Sequence, residues 1–408
     1  MEGKSAPAAA TAIFSAVLDD DDLLGEILVC VAFPTSLVRA ALVCKGWLRV
    51  ASAPAFLRRF GDLHPPGLLG FYVAIFGHTP SDEEPLRFVP MRQPQPPDLA
   101  AVVRRGSFDL NSLGRDSLVD VDCWNGRLLI TSFMKGLEGM VRCPLHPATH
   151  TTILPPCPNS SIHGGFTYYY HEFLLNRGAR YGLSFFFLAI ARKEQQSVLD
   201  VYVLQDDIWA ICSSAVTEIK QFFPVFGSLT AGDKIYNLSR VSGTYKLFSL
   251  DLLSSCLSLV DLPEEDVELG ATKMSLANES GVHFIYSRGS HLRIWLYKVD
   301  KNGLGNWLLI DTICLREIFA NHMIPTTMFD AVGPAVGVHA AGDNSGFLVL
   351  DLNRVTYLLF DIKHKALKKV YEVTEEDRNH GYFYGLIPFM MVWPPKFPVM
   401  KEGCDPKQ

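Results

Sequence analysis

Gly232-Asp233-Lys234-Ile235-Tyr236 opens a stretch of sequence whose pattern returns twice further along the chain. It is followed by a turn at Ser242-Gly243, by a mostly apolar run over residues 245–251, and by Leu262-Pro263. Two such runs on either side of a glycine turn predict a pair of antiparallel strands. The second run ends at Asp251. Aspartate is typical of the position where a chain leaves a sheet, because its side chain accepts hydrogen bonds from the backbone of the next turn.

The two further copies keep the same order of strand, turn, strand and closing aspartate. They comprise residues 280–285 with a turn at Gly289 and residues 292–300, and then residues 343–350 with a turn near Asn353 and residues 356–361. Aligned on Asp251, Asp300 and Asp361, the copies are spaced by roughly 50 to 60 residues. Units of four short strands at about this period are typical of a β-propeller, and about six to eight of them would fit the length of the β-rich region.

Short strands separated by turns begin near residue 117. Residues 119–124 and 127–131 flank Asn125-Gly126, the residue pair that is favoured in two-residue hairpin turns. Further strands are predicted at residues 185–191, 198–204, 234–239, 245–251, 282–287, 292–299, 346–351 and 355–362. Residues 61–100 are rich in proline and glycine, which indicates a junction and a loop-rich first β unit. We therefore predict an all-β, propeller-like recognition domain over residues 63–400, followed by a tail at residues 401–408.

The first 60 residues have a different texture. Residues 1–18 are rich in alanine and are expected to form a flexible leader, whereas residues 19–62 have the spacing of helices. Asp20 to Asp22 suit a helix start, where carboxylates cap free N–H groups, and Pro34 interrupts the helical pattern. Three apolar stripes are made of Leu23, Leu24, Ile27, Leu28 and Val31, then of Leu37, Val38, Ala41 and Leu42, and then of Trp47, Leu48 and Ala51. The fold class is therefore α+β and multidomain, with a small three-helix module before the β domain.

The apolar side chains of this module exceed what a core of about 40 residues would need. A groove on a partner protein is a natural place for the surplus. The whole chain of 408 residues is 48% hydrophobic and 20% charged, with a net charge of -6. This composition predicts folded domains, and the absence of a basic stripe disfavours a nucleic-acid partner. The longest uninterrupted apolar run, residues 185–191, is far too short to span a membrane.

Secretion and cysteine chemistry are also disfavoured. The apolar residues 6–18 are followed directly by Asp19 to Asp22, and no cleavage site of small residues is evident. The nine cysteines are scattered and form no Cys-x-x-Cys pair, so neither a zinc ribbon nor a disulfide framework is indicated. We expect a cytoplasmic or nuclear protein without a metal or another cofactor.

Residues 18–60 resemble the F-box of plant F-box proteins. That family typically reads Leu-Pro-x-Asp-Leu-Leu-x-Glu-Ile-Leu, then Pro-x-Ser-Leu-x-Arg-x-x-x-Val-Cys-Lys-x-Trp-Arg, and then Pro-x-Phe. This chain reads LDDDDLLGEIL over residues 18–28, PTSLVRAALVCKGWLR over residues 34–49 and PAF over residues 54–56. Residues 64–71, HPPGLLGF, are similar to the junction in grass F-box proteins with a propeller-like associated domain. Two positions depart from the pattern: Asp19 replaces the opening proline, and Val31 to Phe33 replace the Arg-Leu that precedes the next proline.

The resemblance implies a role and a surface. F-box proteins dock onto a Skp-type linker protein of a cullin–RING ubiquitin ligase, and their C-terminal domain presents a protein substrate for ubiquitin transfer. The receptor performs no reaction itself and supplies proximity. Carried over residue by residue, the implied linker contacts are Leu23, Leu24, Ile27, Leu28, Pro34, Leu37, Val38, Val43, Cys44 and Trp47. The other interpretation of each is packing within the helical module.

Motifs for catalysis are weak in this sequence. Residues 342–346, Gly-Asp-Asn-Ser-Gly, place the serine one position too late for a nucleophile elbow and are interpreted as a turn. His163-Gly164-Gly165 is interpreted as a loop rather than an oxyanion loop, and the aspartates from Asp19 to Asp22 as helix capping rather than a cation site. Residues 168–171, Tyr-Tyr-Tyr-His, are interpreted as strand and rim rather than as a binding cage.

Three functions remain open at this point. The first is a substrate receptor of a ubiquitin ligase, with no enzyme activity of its own. The second is a propeller that binds or hydrolyses a carbohydrate or another small molecule, with helices that are purely structural. The third is a degenerate receptor that no longer binds the linker, because the opening proline of the F-box is missing. The identity of the protein substrate lies in loop side chains whose roles one sequence does not reveal.

Overall fold

The structure is a computed structural model that forms two compact units. It describes residues 18–77, 86–91, 97–110, 119–132, 137–146, 151–158, 167–176, 184–193, 196–219, 222–225, 227–277, 281–300, 303–330, 335–343 and 346–398. The first unit takes the described residues within Met1–Leu69, Pro94–Arg105 and Met390–Gln408, and the second takes those within Gly70–Gln93 and Gly106–Phe389. Apart from Leu18, the predicted leader lies outside the described residues, as does the predicted tail at residues 401–408.

The first unit is helical. Its helices are α1 (Asp21–Val29), α2 (Pro34–Ala41), α3 (Lys45–Ser52), α4 (Pro54–Leu63) and α5 (Pro97–Arg105). As the sequence predicts, Asp20 caps α1, and its Oδ1 accepts hydrogen bonds from the N–H groups of Asp22 and Leu23 at 2.9 and 3.0 Å.

The predicted three-helix arrangement is not confirmed, because residues 21–63 form four helices. The sequence suggested only a short turn after Ser52. Ala53 is extended, with φ −63° and ψ 131°, and Pro54 then occupies the first turn of a helix of 10 residues. Proline suits that position because its missing N–H would have no acceptor in the first turn.

The core of the first unit draws on both ends of the described chain. The buried residues are Leu24, Leu28, Val29, Leu37, Ala41, Val50, Ala51, Phe56 and Phe60, and Trp393 and Phe397 pack against them. The rings of Phe60 and Trp393 are stacked, with centroids 5.7 Å apart and planes at 11°. A Cβ at Gly61 would lie 2.9 Å from the Trp393 indole, so this glycine permits the close approach. The predicted bounds of 19–62 and 63–400 therefore differ from the two units, since α5 and residues 390–398 group with the helices.

The second unit consists mainly of strands. The start of the first strand and the end of the last one fall in the first unit. In chain order the strands are β1 (Leu68–Gly77), β2 (Leu86–Pro90), β3 (Val119–Trp124), β4 (Arg127–Ser132), β5 (Glu138–Arg142), β6 (Thr152–Ile153), β7 (Thr167–Leu175), β8 (Phe185–Lys193), β9 (Gln196–Gln205), β10 (Ile208–Thr217), β11 (Phe222–Pro224), β12 (Leu229–Ala231), β13 (Lys234–Val241), β14 (Thr244–Asp251), β15 (Cys256–Asp261), β16 (Thr272–Ala277), β17 (Gly281–Arg288), β18 (His291–Val299), β19 (Gly305–Cys314), β20 (Gly337–Ala341), β21 (Phe347–Leu352), β22 (Thr356–Asp361), β23 (Ala366–Glu372) and β24 (Gly381–Met390). Two short α-helices, α6 (Leu315–Asn321) and α7 (Glu375–His380), and two 3-10 helices, Leu269–Ala271 and Thr327–Asp330, lie between them.

These strands form six sheets, which are the blades of a six-bladed β-propeller. Blade 1 is β3-β4-β5-β6, blade 2 is β7-β8-β9-β10, blade 4 is β16-β17-β18-β19 and blade 5 is β20-β21-β22-β23. Blade 3 has β13, β14 and β15, with both β11 and β12 paired to β13. Blade 6 joins β24, from near the end of the chain, to β1 and β2. Because blade 6 takes strands from both ends of the unit, it closes the ring.

The contacts of the first strands identify the inside of the propeller. β3 contacts β7, β7 contacts β12, β12 contacts β16, and β16 contacts β20. β3, β7, β16 and β20 are the first strands of their blades, and β12 is the strand of blade 3 that lies between β7 and β16. These five strands are therefore the inner strands around the axis. The apolar core lies between neighbouring blades: one cluster joins blades 1 and 2, and others join blades 2 and 3, blades 3 and 4, and blades 4 and 5.

The local sequence signals are confirmed in the strand connections. Asn125 and Gly126 have φ values of 50° and 71°, as a type I′ hairpin turn between β3 and β4 requires. Asp251, Asp300 and Asp361 each close the third strand of a blade. Their carboxylates accept hydrogen bonds from backbone N–H groups of the following turn, for example from Ser254 at 2.9 Å. Across the described part of the chain, the helices are too short or too polar to cross a membrane.

Candidate functional site

Helix α1 has apolar side chains on two faces. Leu24 and Leu28 are 1% exposed and lie in the core of the first unit. Leu23 and Ile27 are 47% and 43% exposed. They are four residues apart, so they lie one turn apart on the same outer face of the helix. Such a helix needs a second covering partner, which this unit does not supply in the described residues.

Two ion pairs hold α1 with this outer face exposed. Arg49 of α3 donates to Asp21 at 2.7 Å, and Arg59 of α4 donates to both oxygens of Glu26 at 2.5 and 2.7 Å. The hydrogen bond from Arg59 is the largest cause that lowers the pKa of Glu26. All four side chains are well exposed, so the pairs fix the rotation of α1 more than they stabilise the fold.

A second group of exposed apolar residues lies in the connection between α2 and α3. Leu42 and Val43 are 54% and 65% exposed, and Cys44 is exposed as well. The turn is held by backbone hydrogen bonds from Leu42 to Arg39 and from Val43 to Ala40, at 3.2 and 3.1 Å. The side chains of Leu42, Val43 and Cys44 are therefore presented to solvent by a fixed backbone. We call these three residues, together with Leu23 and Ile27, the exposed apolar set.

The structure divides the ten predicted contact residues into three groups. Leu23, Ile27, Val43 and Cys44 are exposed; Val38 and Trp47 are partly buried; Leu24, Leu28, Pro34 and Leu37 are buried. The buried leucines belong to the unit's own core, where they support the surface from below. Leu42 is exposed but is missing from the predicted contacts, because the sequence pattern placed it in the apolar stripe of α2. The signal that could have found it is its position just beyond the end of that helix.

The propeller has a partly open cavity of about 370 Å³ near its axis. It is lined by Asp120, Thr131, Leu137, Tyr170, His171, Glu172 and Phe173. Asp120 lies on β3 of blade 1, and residues 170–173 lie on β7 of blade 2. The sequence placed residues 168–171 in a strand, which is confirmed, and two of them line this cavity.

Glu172 is the most constrained group of the cavity. Its Oε2 accepts hydrogen bonds from the hydroxyls of Tyr170 and Ser228 at 2.8 and 2.6 Å, and its Oε1 accepts one from the Ser228 N–H at 2.8 Å. The residue keeps some exposed surface, but its carboxylate is buried, and this burial raises the pKa to about 7. The three hydrogen bonds oppose the shift without cancelling it.

Other titratable groups surround this carboxylate. Asp120 is exposed within the cavity, yet burial by the surrounding protein raises its pKa, whereas Lys273 of β16 lowers it. Burial lowers the pKa of His171, and it lowers that of His339 on β20 to about 4, where Lys273 adds to the effect. Both histidines are therefore neutral at pH 7. The inner strands thus carry acidic groups on blades 1 and 2, and Lys273 on blade 4.

The weak catalytic motifs remain without support. Asp343 accepts a hydrogen bond from the Leu276 N–H at 2.9 Å, a structural role, while Asn344 and Ser345 lie outside the described residues. His163-Gly164-Gly165 also lies outside them. Within the described ranges, no group of His, Cys, Asp and Glu side chains is arranged to hold a metal ion. The capping role of Asp20 agrees with the interpretation of the Asp19 to Asp22 run.

The solved structures that resemble this chain do so distantly. Among solved structures, the chain is similar to the nidogen/laminin complex, with 9% identity, a TM-score of 0.42, and coverage of 79% of this chain and 98% of that one. It is also similar to TolB from Acinetobacter baumannii, with 12% identity, a TM-score of 0.39, and coverage of 84% and 72%. These distant likenesses carry no argument about function. No curated protein matches the sequence.

The family comparison covers most of the β domain. Residues 120–397 match the family described as "F-box protein AT5G49610-like, beta-propeller". The match spans about two thirds of the chain and takes in the inner-strand cavity and Trp393. It begins after the four helices at residues 21–63, so it does not itself identify an F-box there. This chain belongs to the family of F-box protein AT5G49610-like β-propellers.

Proposed function

We propose that this chain is a substrate receptor of a cullin–RING ubiquitin ligase of the SCF type. Its helical unit docks onto a Skp-type linker protein, and its propeller holds a protein substrate. The observation that carries the proposal is the exposed apolar set on a helical unit whose sequence resembles an F-box, in a chain whose propeller belongs to an F-box protein family.

The exposed apolar set suits a protein partner for a physical reason. Leu23, Ile27, Leu42 and Val43 are each between 43% and 65% exposed, although they lie within 21 residues of sequence. Covering the exposed part of one such side chain stabilises a complex by about 1 kcal/mol, at about 25 cal/mol per Å² of apolar surface. Together they supply a substantial share of the free energy that a micromolar complex requires, about 8 kcal/mol.

On this proposal the chain catalyses no reaction and acts in the cytoplasm, the nucleus or both. The ligase supplies the ubiquitin chemistry, and the receptor supplies proximity and orientation. Neither a cofactor, a nucleic acid nor a membrane is needed for this role.

Co-elution of the purified full chain with a Skp-type linker tests the proposal. The double variant Leu23→Asp with Ile27→Asp should abolish the complex, because two carboxylates would have to be desolvated in an apolar interface. Both positions are exposed, so the unit should still fold. Substitution of Leu24 would be a poor test, since that residue is 1% exposed and its loss would disrupt the core.

The matched control is Leu253→Asp, which places the same charge at an exposed leucine of the propeller, 81% exposed. It should leave the complex intact. If the unaltered chain and the linker fail to associate at concentrations where other F-box proteins do, the receptor proposal is wrong. The degenerate receptor or the small-molecule binder would then remain. If both variants bind as well as the unaltered chain, the exposed apolar set is not the docking surface.

A further inference from the structure

The cavity between blades 1 and 2 belongs to the second unit, whereas the exposed apolar set belongs to the first. Its lining includes two carboxylates, two aromatic rings and a neutral histidine, and no lysine or arginine among the residues that the structure describes there. We propose that this cavity binds an organic cation, an ammonium or guanidinium group, and that on the substrate of the proposed receptor this group is a lysine or arginine side chain. The inference deepens the proposed function, since it names the chemistry by which the propeller would recognise its substrate.

The size of the cavity favours an organic group over a bare ion. Its volume of about 370 Å³ equals roughly twelve water molecules at about 30 Å³ each. That space admits the end of a long side chain with its methylene groups, whereas a metal ion would leave most of it unfilled. The described residues also offer no cluster with the arrangement of a metal site.

The charge of the cavity favours a cation. Glu172 and Asp120 are the acidic groups of the lining, and both are held in surroundings that oppose their ionisation. A bound cation would lower the pKa of both carboxyl groups, because an opposite charge nearby favours the ionised carboxylate. Cation binding and loss of a proton from Glu172 are then linked, and each strengthens the other. Burial keeps the neighbouring His171 neutral, so it adds no competing charge.

Aromatic rings add a second, independent feature. Tyr170 lies in the cavity wall, and its hydroxyl donates to Glu172. Phe173 is the second aromatic residue of the lining. Tyrosine rings beside carboxylates are a common setting for ammonium and guanidinium groups, which are attracted to the ring face.

Lys273 works against a bound cation and therefore provides a test. The hydrogen bond from the Val121 N–H lowers the pKa of Asp120, and the Lys273 ammonium lowers it as well; Lys273 also lowers the pKa of His339. The remaining charged group that acts on Asp120 is Asp122, which raises its pKa. Removing Lys273 should strengthen the binding of a cation, whereas removing Asp120 or Glu172 should weaken it. A merely structural role of these residues would not produce opposite effects.

Isothermal titration of the full chain with capped amino acids tests the inference. The probe is N-acetyl-lysine N-methylamide, and the matched neutral probe is N-acetyl-norleucine N-methylamide. At pH 8 the lysine probe should bind at least about tenfold more tightly than the norleucine probe. Glu172→Gln and Asp120→Asn should each weaken it by about fivefold or more, and Lys273→Met should strengthen it by about two- to fivefold. The exposed Glu265→Gln should have no effect.

The pH profile supplies a readout that needs no variant. Affinity for the lysine probe should rise between pH 6 and pH 8, as Glu172 loses its proton, and the rise should be absent in Glu172→Gln. Equal binding of the two probes, or a flat pH profile of the unaltered chain, would overturn the inference. Binding of n-butylamine without binding of the capped lysine would show that the cation is a free small molecule rather than a side chain. Because these titrations contain no linker protein, their failure is distinct from failure of the receptor proposal.

Discussion

Replacing Glu172 by glutamine is predicted to remove a loss of unfolding free energy that the propeller suffers as the pH rises. The carboxylate is buried, and its pKa is raised from an ordinary value of 4.5 to about 7. In the unfolded chain the group titrates near 4.5, so between these two values the folded state binds a proton that the unfolded state does not. The stability of the propeller therefore falls as the pH rises from about 4.5 to about 7, and is constant with respect to this group above that range.

The shift sets the size of the effect. At about 1.36 kcal/mol per unit, it corresponds to about 3 kcal/mol of unfolding free energy that is lost between pH 4.5 and pH 8. Glutamine keeps an oxygen for the Ser228 N–H, and the hydroxyls of Tyr170 and Ser228 can turn to accept from its amide. The hydroxyl hydrogens of Tyr170 and Ser228 then lose Glu172 as their acceptor. That cost is the same at every pH, so the change in stability with pH reports the charge alone.

Urea unfolding followed by far-UV circular dichroism, at several pH values between 4.5 and 8, measures the effect. Other groups titrate in this range, so the quantity of interest is the difference in unfolding free energy between Glu172→Gln and the unaltered chain. That difference should move in favour of the variant by about 3 kcal/mol from the acidic to the alkaline end. Glu265→Gln, at an exposed position, should show no such trend. If the curves of Glu172→Gln and the unaltered chain ran parallel, the buried carboxylate would not be titrating as the structure requires.

Two further predictions concern the helical unit. Trp393→Ala should destabilise this unit by about 3 to 5 kcal/mol, because it removes the ring stacked on Phe60. Trp393→Phe keeps an aromatic ring and should lose less stability. Hydrogen exchange of the α4 amides measures both effects. Leu37→Ala should lower the unfolding free energy of the unit by about 2 to 5 kcal/mol, because Leu37 is 0% exposed. Leu42 is 54% exposed, so Leu42→Ala should change that free energy by less than about 0.5 kcal/mol. Leu42→Ala should instead weaken binding of a Skp-type linker. Loss of linker binding in Leu42→Ala together with a large loss of stability would show that Leu42 belongs to the core.

The sequence reveals those parts of the fold that are encoded locally. The Asn125-Gly126 turn and the closing aspartates Asp251, Asp300 and Asp361 are short-range signals, and each occupies the position in a blade that the pattern predicts. The number of blades is not encoded in this way. Blade 6 pairs β24 with β1, two strands that lie about 300 residues apart in the chain, and no local pattern connects them.

The exposed apolar set, which is the proposed docking surface, shows the same limit at the level of one helix. The apolar residues Leu23, Leu24, Ile27 and Leu28 lie close together in sequence, and their spacing does not decide which pair faces the core. That choice depends on where α3 and α4 pack and on Arg49 and Arg59, which hold the helix from its polar side. The cavity is harder still to predict, because Asp120 and Glu172 belong to different blades and meet only when the ring of strands is formed.

The helical unit extends beyond residues 19–62, so a test of the proposed docking module should include residues near Trp393. By sequence, residues 19–62 look self-contained, yet the core around Phe60 includes Trp393 and Phe397, and Gly61 leaves room for the indole. Near this contact, the Met391 N–H donates to the Gly67 carbonyl at 2.9 Å, so the segments on either side of the propeller strands are also joined by their backbones. A fragment of residues 19–62 alone would expose the apolar surface that Trp393 covers. Its core would be smaller, and a fragment this short buries too little apolar surface to lose part of its core and stay stably folded. We therefore expect such a fragment to bind a Skp-type linker less tightly than the full chain, and addition of residues 390–398 as a separate peptide to recover part of that affinity. Equal affinity of the fragment and the full chain would show that the contact with Trp393 is dispensable for docking.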